Sequence, residues 1–432
     1  MKIHRSLALW RTAATKRLLR RGWIMTSMAV ALLSGCGGGG AGDASVAATE
    51  STDTDTVQAQ AVPLSNDRAR LGQAIFGDTD LSEPRGTACV ACHQPSQGFA
   101  GNHGSRIGVA QGSLPTSLGL RNAMPTAYSA RVPALHFVTA DGETEAQGGH
   151  FWDGRVDTLA QQALGPLLNP LEMNNPSKRA VVDKIAAARY APLFRQVFGA
   201  TVFNDTEAAF ASIGVAVEAF EREALQPFSS KFDAMVRGQV SFTPAEARGM
   251  ALFMDPQRAN CAGCHKMNPG SGKPQDSLFS DFTYYATGIP RNTAIPRNAN
   301  AAFFDLGLCG PERAAPTLPT DVVPGVTIDN FCGKFRMPTL RNVAERPAYM
   351  HNGFFKDLSE VVRFYSTRAS NPQRWYGPRG VPNDLPTHYL GNVERTKAPF
   401  NRRVGDAPLL NDGEVADIVA FLHTLSDGFR AP

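Results

Sequence analysis

Cys89-Val90-Ala91-Cys92-His93 and Cys261-Ala262-Gly263-Cys264-His265 decide how this chain is read. C-x-x-C-H is the attachment signature of a c-type haem. Two thiols at this spacing form thioethers to the haem vinyl groups, and the histidine that follows lies against one face of the iron as proximal ligand. Other uses of a bare C-x-x-C fit less well. A zinc site needs four ligands close together, and these pairs lie 172 residues apart. A redox dithiol has no need of a histidine directly after it. The sequence therefore points to two covalently bound haem c groups, one on Cys89, Cys92 and His93 and one on Cys261, Cys264 and His265.

The chain has 432 residues, 43% hydrophobic and 19% charged, an ordinary globular composition with length enough for two cores. Its formal charge of +4 is concentrated at the start: residues 1–35 hold seven Lys/Arg and no acid, which leaves the rest at −3. That balance offers no basis for nucleic-acid binding. Residues 1–35 read as an export signal, with a basic region and an apolar run, Ile24 to Leu33, too short to span a bilayer. The run ends in Leu33-Ser34-Gly35-Cys36, which resembles a bacterial lipoprotein cleavage box with Cys36 as the lipidated residue; a plain secretory signal is the alternative. Seven cysteines then divide into four for haem, Cys36 for lipid, and the pair Cys309 and Cys332. In an oxidising compartment that pair can close a disulfide worth about 3 kcal/mol. Two buried free thiols are the other reading.

Residues 36–66 have almost no large apolar side chains and read as a flexible tether. Structure is expected from Asp67, where Leu71, Ile75 and Phe76 recur at helical spacing. Pro166 and Pro170 exclude a continuous helix across 166–173, which reads as a shaped loop. Residues 177–225 read as helices. Thr243-Pro244-Ala245-Glu246 is a capping box that opens another helix. Gly249-Met250-Ala251-Leu252-Phe253 repeats the pattern of Gly72-Gln73-Ala74-Ile75-Phe76, so a helix delivers the chain to each haem motif. A helix capped by Asp357 follows, and a last one starts at Asp412. The expected fold is all-α, with two cytochrome c-like domains at 67–238 and 239–432 and long irregular loops at 267–335 and 368–408.

The ordered motifs resemble the bacterial dihaem cytochrome c peroxidases and their MauG-type relatives. Both C-x-x-C-H motifs carry the resemblance, with Phe151-Trp152-Asp153-Gly154-Arg155, Asn169-Pro170-Leu171-Glu172-Met173, Pro338-Thr339-Leu340-Arg341-Asn342-Val343 and the closing helix with Phe421-Leu422. The resemblance implies that the haem on His93 reacts with peroxide and that the haem on His265 receives electrons. It places Glu172 as distal acid/base, Gln162 as a hydrogen-bonding partner of peroxide, Pro166 as a shaper of the pocket and Trp152 between the haems. By itself Trp152 reads as a core aromatic. Activatable peroxidases carry a capping histidine in the loop after the first haem; Val109 stands at that place, with His103 out of register, so the first iron is expected to keep an open sixth position. Where the peroxidases place a methionine ligand to the second iron, this chain has Tyr365, as the MauG-type relatives do. Tyr365 as ligand, or as part of an apolar stripe with Met337 or Met350 as ligand, are the two readings. The resemblance also implies a calcium ion held by Asn122 and the carbonyls of Arg346 and Ala348; His351 lies in a shared motif and reads as a structural hydrogen-bonding residue.

The implied activity is reduction of hydrogen peroxide to water with electrons from a small monohaem cytochrome c or a cupredoxin, in the periplasm, with the membrane reached through the lipid anchor alone. A MauG-like peroxide-dependent oxidase of a protein or organic substrate is the first rival. A non-catalytic dihaem electron carrier is the second.

Overall fold

The computed structural model describes residues 64–431. The export segment, Cys36 and the tether up to residue 63 lie outside the described residues. In chain order the helices are α1 (Asp67–Phe76), α2 (Cys89–Cys92), α3 (Leu159–Leu168), α4 (Lys178–Ala187), α5 (Ala191–Phe198), α6 (Thr206–Ala224), α7 (Lys231–Val236), α8 (Pro244–Met254), α9 (Leu358–Thr367), α10 (Pro372–Tyr376) and α11 (Asp412–His423). Their starts follow from local chemistry. Asn66 caps α1 through Ala69 N, Thr243 and Glu246 form the capping box of α8, Asp357 caps α9, and Asn411 and Glu414 box the start of α11.

Two helix crossings organise the packing, and the internal repeat explains both. Gly72 on α1 meets α6 so closely that a Cβ there would lie 1.9 Å from the Ala216 carbonyl oxygen. Gly249 on α8 meets α11 in the same way, with a Cβ falling 1.9 Å from the Asp417 oxygen. Only glycine permits such an approach. One turn later each helix presents a phenylalanine. Phe76 packs on Phe220 (centroids 5.3 Å) and lies 6.3 Å from the His93 ring; Phe253 packs on Phe421 (5.2 Å) and lies 6.4 Å from His265. Around these crossings grow two apolar clusters, one drawn from Leu71 to Leu225 and one from Phe232 to Leu425. Each fully buried phenylalanine in them is worth roughly 1.5–3 kcal/mol.

The all-α expectation needs correction. β1 (His136–Ala140) and β2 (Glu143–Gln147) form an antiparallel hairpin, with Ala140 opposite Glu143. Its turn residues, Asp141 and Gly142, both have positive φ, as a tight hairpin turn requires. A second pair, β3 (Tyr284–Tyr285) and β4 (Phe335–Arg336), sets Tyr284 opposite Arg336. The fold is helix-rich with these two small sheets, and the described residues contain no barrel. Helix α3 also runs past Pro166 to Leu168. Proline removes the N–H that would bond Gln162 O, and the last carbonyls of the helix are taken up by the returning chain: Met173 N donates to Pro166 O and Asn175 N to Leu167 O. The loop at 267–335 holds short 3-10 turns and β3, and β4 begins at its end. A disulfide joins Cys309 and Cys332, with Cα atoms 5.0 Å apart.

Candidate active site

Each C-x-x-C-H motif lines its own cavity. Cys89, Cys92 and His93 stand on the wall of one void of about 1350 Å³, its open mouth included. Cys261, Cys264 and His265 stand on the wall of a second, of about 1550 Å³. All four of these cysteines are unbridged. The histidines are oriented alike. His93 Nδ1 pairs with Phe99 O and His265 Nδ1 with Phe279 O, each at 3.0 Å. Both phenylalanines are in the left-handed region, φ 56° and 54°, a conformation that costs about 1–3 kcal/mol and persists where the surroundings enforce it. A carbonyl on Nδ1 fixes the tautomer that leaves Nε2 as the metal-binding atom. Burial lowers both imidazole pKa values, that of His265 to about 4, which keeps them neutral. Paired thiols, a neutral imidazole and a large void fit a covalent haem in each cavity.

The first cavity has a polar wall. Glu172, Gln162, Pro166 and Arg155 line it with Asn169 and Glu312. Helix α3 carries Gln162 and Pro166. The turn after α3 holds Glu172: its N–H donates to Asn169 O, Leu171 N donates to Asn169 Oδ1 (2.9 Å), and Asn175 Nδ2 ties the turn to Leu81 O and Leu167 O. Burial raises the Glu172 carboxyl above the ordinary range, against the pull of Arg155 and of Asn169. Arg155 lies 3.6 Å over the Phe151 ring and pairs with Asp153 at 3.0 Å. Asp153 is fully buried and also binds Arg121 (2.7 Å), which in turn grips Asp305 (2.6 Å). This chain of charges fixes the Trp152–Arg155 turn against two distant loops.

Trp152 is 8% exposed and lines both cavities, with its indole N–H donating to Asn122 O at 2.8 Å. Asn122, Ala123, Pro125 and Arg336 share that position between the voids. His351 stacks on Phe335 (3.6 Å, 8°), meets the Trp152 ring edge-on, and lies 3.7 Å from Asp384.

The second cavity is mostly apolar. Tyr365 reaches it from α9, stacked on Phe400 at 5.4 Å, and burial raises its phenol pKa. Met337 and Met350 line the same void, so all three candidate ligands face it. Neither Val109, which is fully buried, nor His103, whose Nδ1 pairs with Gln111 O, lines the first cavity.

The calcium donor set is arranged otherwise than expected. Asn122 Nδ2 donates to Ala348 O (3.0 Å) and Met350 O (3.2 Å), and its Oδ1 accepts from Asn102 Nδ2 (2.9 Å). Asn102 is itself oriented by Ala123 N on its Oδ1, so the Asn122 amide presents hydrogens, not oxygen, to those carbonyls. The Arg346 guanidinium stands nearby, bonded to Thr339 O and Arg341 O. These residues do not fit a calcium ion, and no step is assigned to one.

Sequence reasoning missed several residues of the first cavity: His150, Glu221 and Arg336. Glu221 left a readable signal, because it follows Gly214 and Val217 at helical spacing on the core face of α6.

Comparison with known proteins agrees with this geometry. A family model described as "Di-haem cytochrome c peroxidase" matches residues 66–241. The methylamine utilization protein MauG of Paracoccus denitrificans is 34% identical over 376 residues, 85% of this chain and 90% of its own. The cytochrome c551 peroxidase of Nitrosomonas europaea is 27% identical over 305 residues, 69% of this chain and 73% of its own. The crystal structure of the diheme peroxidase BthA from Burkholderia thailandensis superposes with a TM-score of 0.76 at 40% identity, over 84% of this chain and 86% of that one.

Proposed function

This chain belongs to the di-haem cytochrome c peroxidase family, an oxidoreductase family with two haem c groups, and from that premise we propose that it reduces hydrogen peroxide to water with electrons from a small cytochrome c or cupredoxin. The observation that carries the reading is the pair of cavities, each with its own C-x-x-C-H wall, that meet at Trp152.

Cys89, Cys92 and His93 would hold one haem, and Cys261, Cys264 and His265 the other, with Tyr365 as a further ligand to the latter. Bound there, haem iron supplies one-electron redox chemistry and, at an open position, peroxide cleavage. The residues around it supply the rest. Gln162 holds peroxide through its carboxamide, and Pro166 narrows the space beside it. The Glu172 carboxylate takes the proton from one peroxide oxygen and returns it to the other, so that water leaves; burial keeps the returned proton available. Two electrons and two protons complete the conversion of peroxide to two waters. Trp152 carries the electrons between the cavities. The halves 67–238 and 239–432 divide the work. Cys36 would anchor the chain to a periplasmic membrane face, and no helix among the described residues is long and apolar enough to cross a membrane.

The test is peroxide-dependent oxidation of reduced cytochrome c by protein whose pyridine haemochrome reports two haem c groups. A loaded protein that binds peroxide yet leaves every such donor reduced overturns the reading in favour of a MauG-like oxidase, which Val109 and Tyr365 favour. Failure of the first haem to bind peroxide or cyanide would leave an electron carrier.

A further inference from the structure

Glu221 stands on the wall of the first cavity and takes no part in the chemistry above. It is 2% exposed. Its one protein partner among the described residues is Ser129, whose Oγ lies 2.7 Å from Glu221 Oε2. The same Oγ lies 2.6 Å from Thr126 O. A serine hydroxyl has one hydrogen, and a backbone carbonyl only accepts. The hydroxyl hydrogen is therefore shared between Thr126 O and the Glu221 carboxyl, which leaves that carboxyl weakly solvated. The geometry describes a buried carboxyl on the cavity wall with a single, shared hydroxyl to stabilise its charge.

The surroundings agree. Burial pushes the Glu221 carboxyl up to about 8; Ser129 opposes this and Glu218 adds to it. The ionisable groups about it are few. On its own helix, Glu218 pairs with Arg222 at 2.7 Å, and Arg222 also reaches Ala130 O. Helix α1 presents Gly72 and Phe76 to α6, and α3 presents Ala160 and Leu164, none of them ionisable. Lys178 of α4 pairs with Glu207 at the far end of α6. On the 129–131 turn, Arg131 is bonded to Gln226. Cys89 of α2 faces Glu221 but becomes a thioether once haem is attached. Across the cavity stand Glu172, His150 and Arg336.

An acid so placed feels the charge of whatever fills the cavity. We infer that Glu221 is the redox-linked proton site of the first cavity: it takes one proton from solvent when the haem there gains an electron and releases it when the electron leaves. This rests on the assignment of a haem to that cavity. Added negative charge favours the neutral acid, so reduction becomes harder as pH rises through the range where Glu221 ionises.

The test is spectroelectrochemistry of the first haem in the loaded full chain, from about pH 6 to about pH 10. Pyridine haemochrome comes first, since a protein without haem refutes the cavity assignment and not this inference. In the wild type, the ferric-to-ferrous ratio at fixed poise should change up to tenfold per pH unit within one window, which is 59 mV per unit for a one-electron couple. E221Q should abolish that window with both haems retained, and E172Q should keep it. S129A, which leaves the carboxyl but removes its partner, should move the window, and it carries the test if E221Q does not load haem. A window that survives in E221Q, an unmoved window in S129A, or no window in the wild type overturns the inference.

Discussion

Arg341→Gln tests how the buried charges of the second half hold its haem site. Arg341 and Asp233 are both fully buried. Nη1 donates to both Asp233 oxygens (2.7 and 2.8 Å), Nε and Nη2 donate to Ser277 O, and Nη2 reaches Pro274 O. Phe228, Phe232, Phe279 and Tyr128 surround the guanidinium within 5.8 Å. Truncation would leave Asp233 charged and unpaired, a loss of about 3–5 kcal/mol for a buried pair. Asp233 keeps two donors, Ser230 N (2.9 Å) and Ser230 Oγ (2.7 Å), which puts the expected loss at the lower end, about 3 kcal/mol. The damage should be local, because the carbonyls Arg341 grips lie just before Phe279, whose own carbonyl orients His265. Urea denaturation followed at the haem band would measure the loss, and EPR of the ferric protein would show the second haem disturbed and the first intact. Adding D233N should recover part of the loss, since the unpaired carboxylate causes it. A loss below about 1 kcal/mol, or a double variant worse than the sum of its parts, would refute the reasoning.

Glu172→Gln should lower kcat for peroxide by about 10²–10⁴-fold at unchanged haem content, the usual contribution of a positioned acid/base. Burial raises the Glu172 pKa, and a base works only when ionised, so wild-type activity should fall as pH drops through a value above the ordinary 4.5, a limb absent from E172Q pH profiles. Tyr365→Phe should raise the potential of the second haem, because a phenolate stabilises oxidised iron; an unchanged second-haem EPR signal would hand the ligand role to Met337 or Met350. Trp152→Phe should slow electron transfer between the haems, read by stopped-flow after reduction of the second, with both haem spectra retained.

How much of this was legible depends on where the information lies. The haem motifs, the caps of α8 and α9 and the repeat around Phe76 and Phe253 are local patterns, and a local pattern survives in one dimension. The hairpin at 136–147 was legible too: Asp141-Gly142 between residues of strand character is a turn signal, overlooked beside the stronger motifs. Helix α3 running past Pro166 was not, because its end is held by bonds from the returning segment 169–175. The pairs Arg341–Asp233, Arg121–Asp153 and Asn122–Ala348 join residues 108, 32 and 226 positions apart, and no spacing rule reaches that far.

The two halves repeat each other on the proximal side and part company on the other. A glycine crossing, a phenylalanine one turn on, and a histidine held by a left-handed phenylalanine carbonyl occur in both. Nothing in that shared frame distinguishes a centre that reacts with an oxidant from one that passes electrons. The difference lies in the facing walls. One carries Glu172, Gln162 and Arg155 with the buried acid Glu221; the other carries Tyr365 on Phe400 with two methionines. A wall rich in groups that hold and move protons suits peroxide, which needs protons to become water. An apolar wall with a candidate axial ligand suits a centre that changes charge without changing its bonds. Exchange of function between the halves would therefore require rebuilding the facing walls, and the proximal frame could stay as it is.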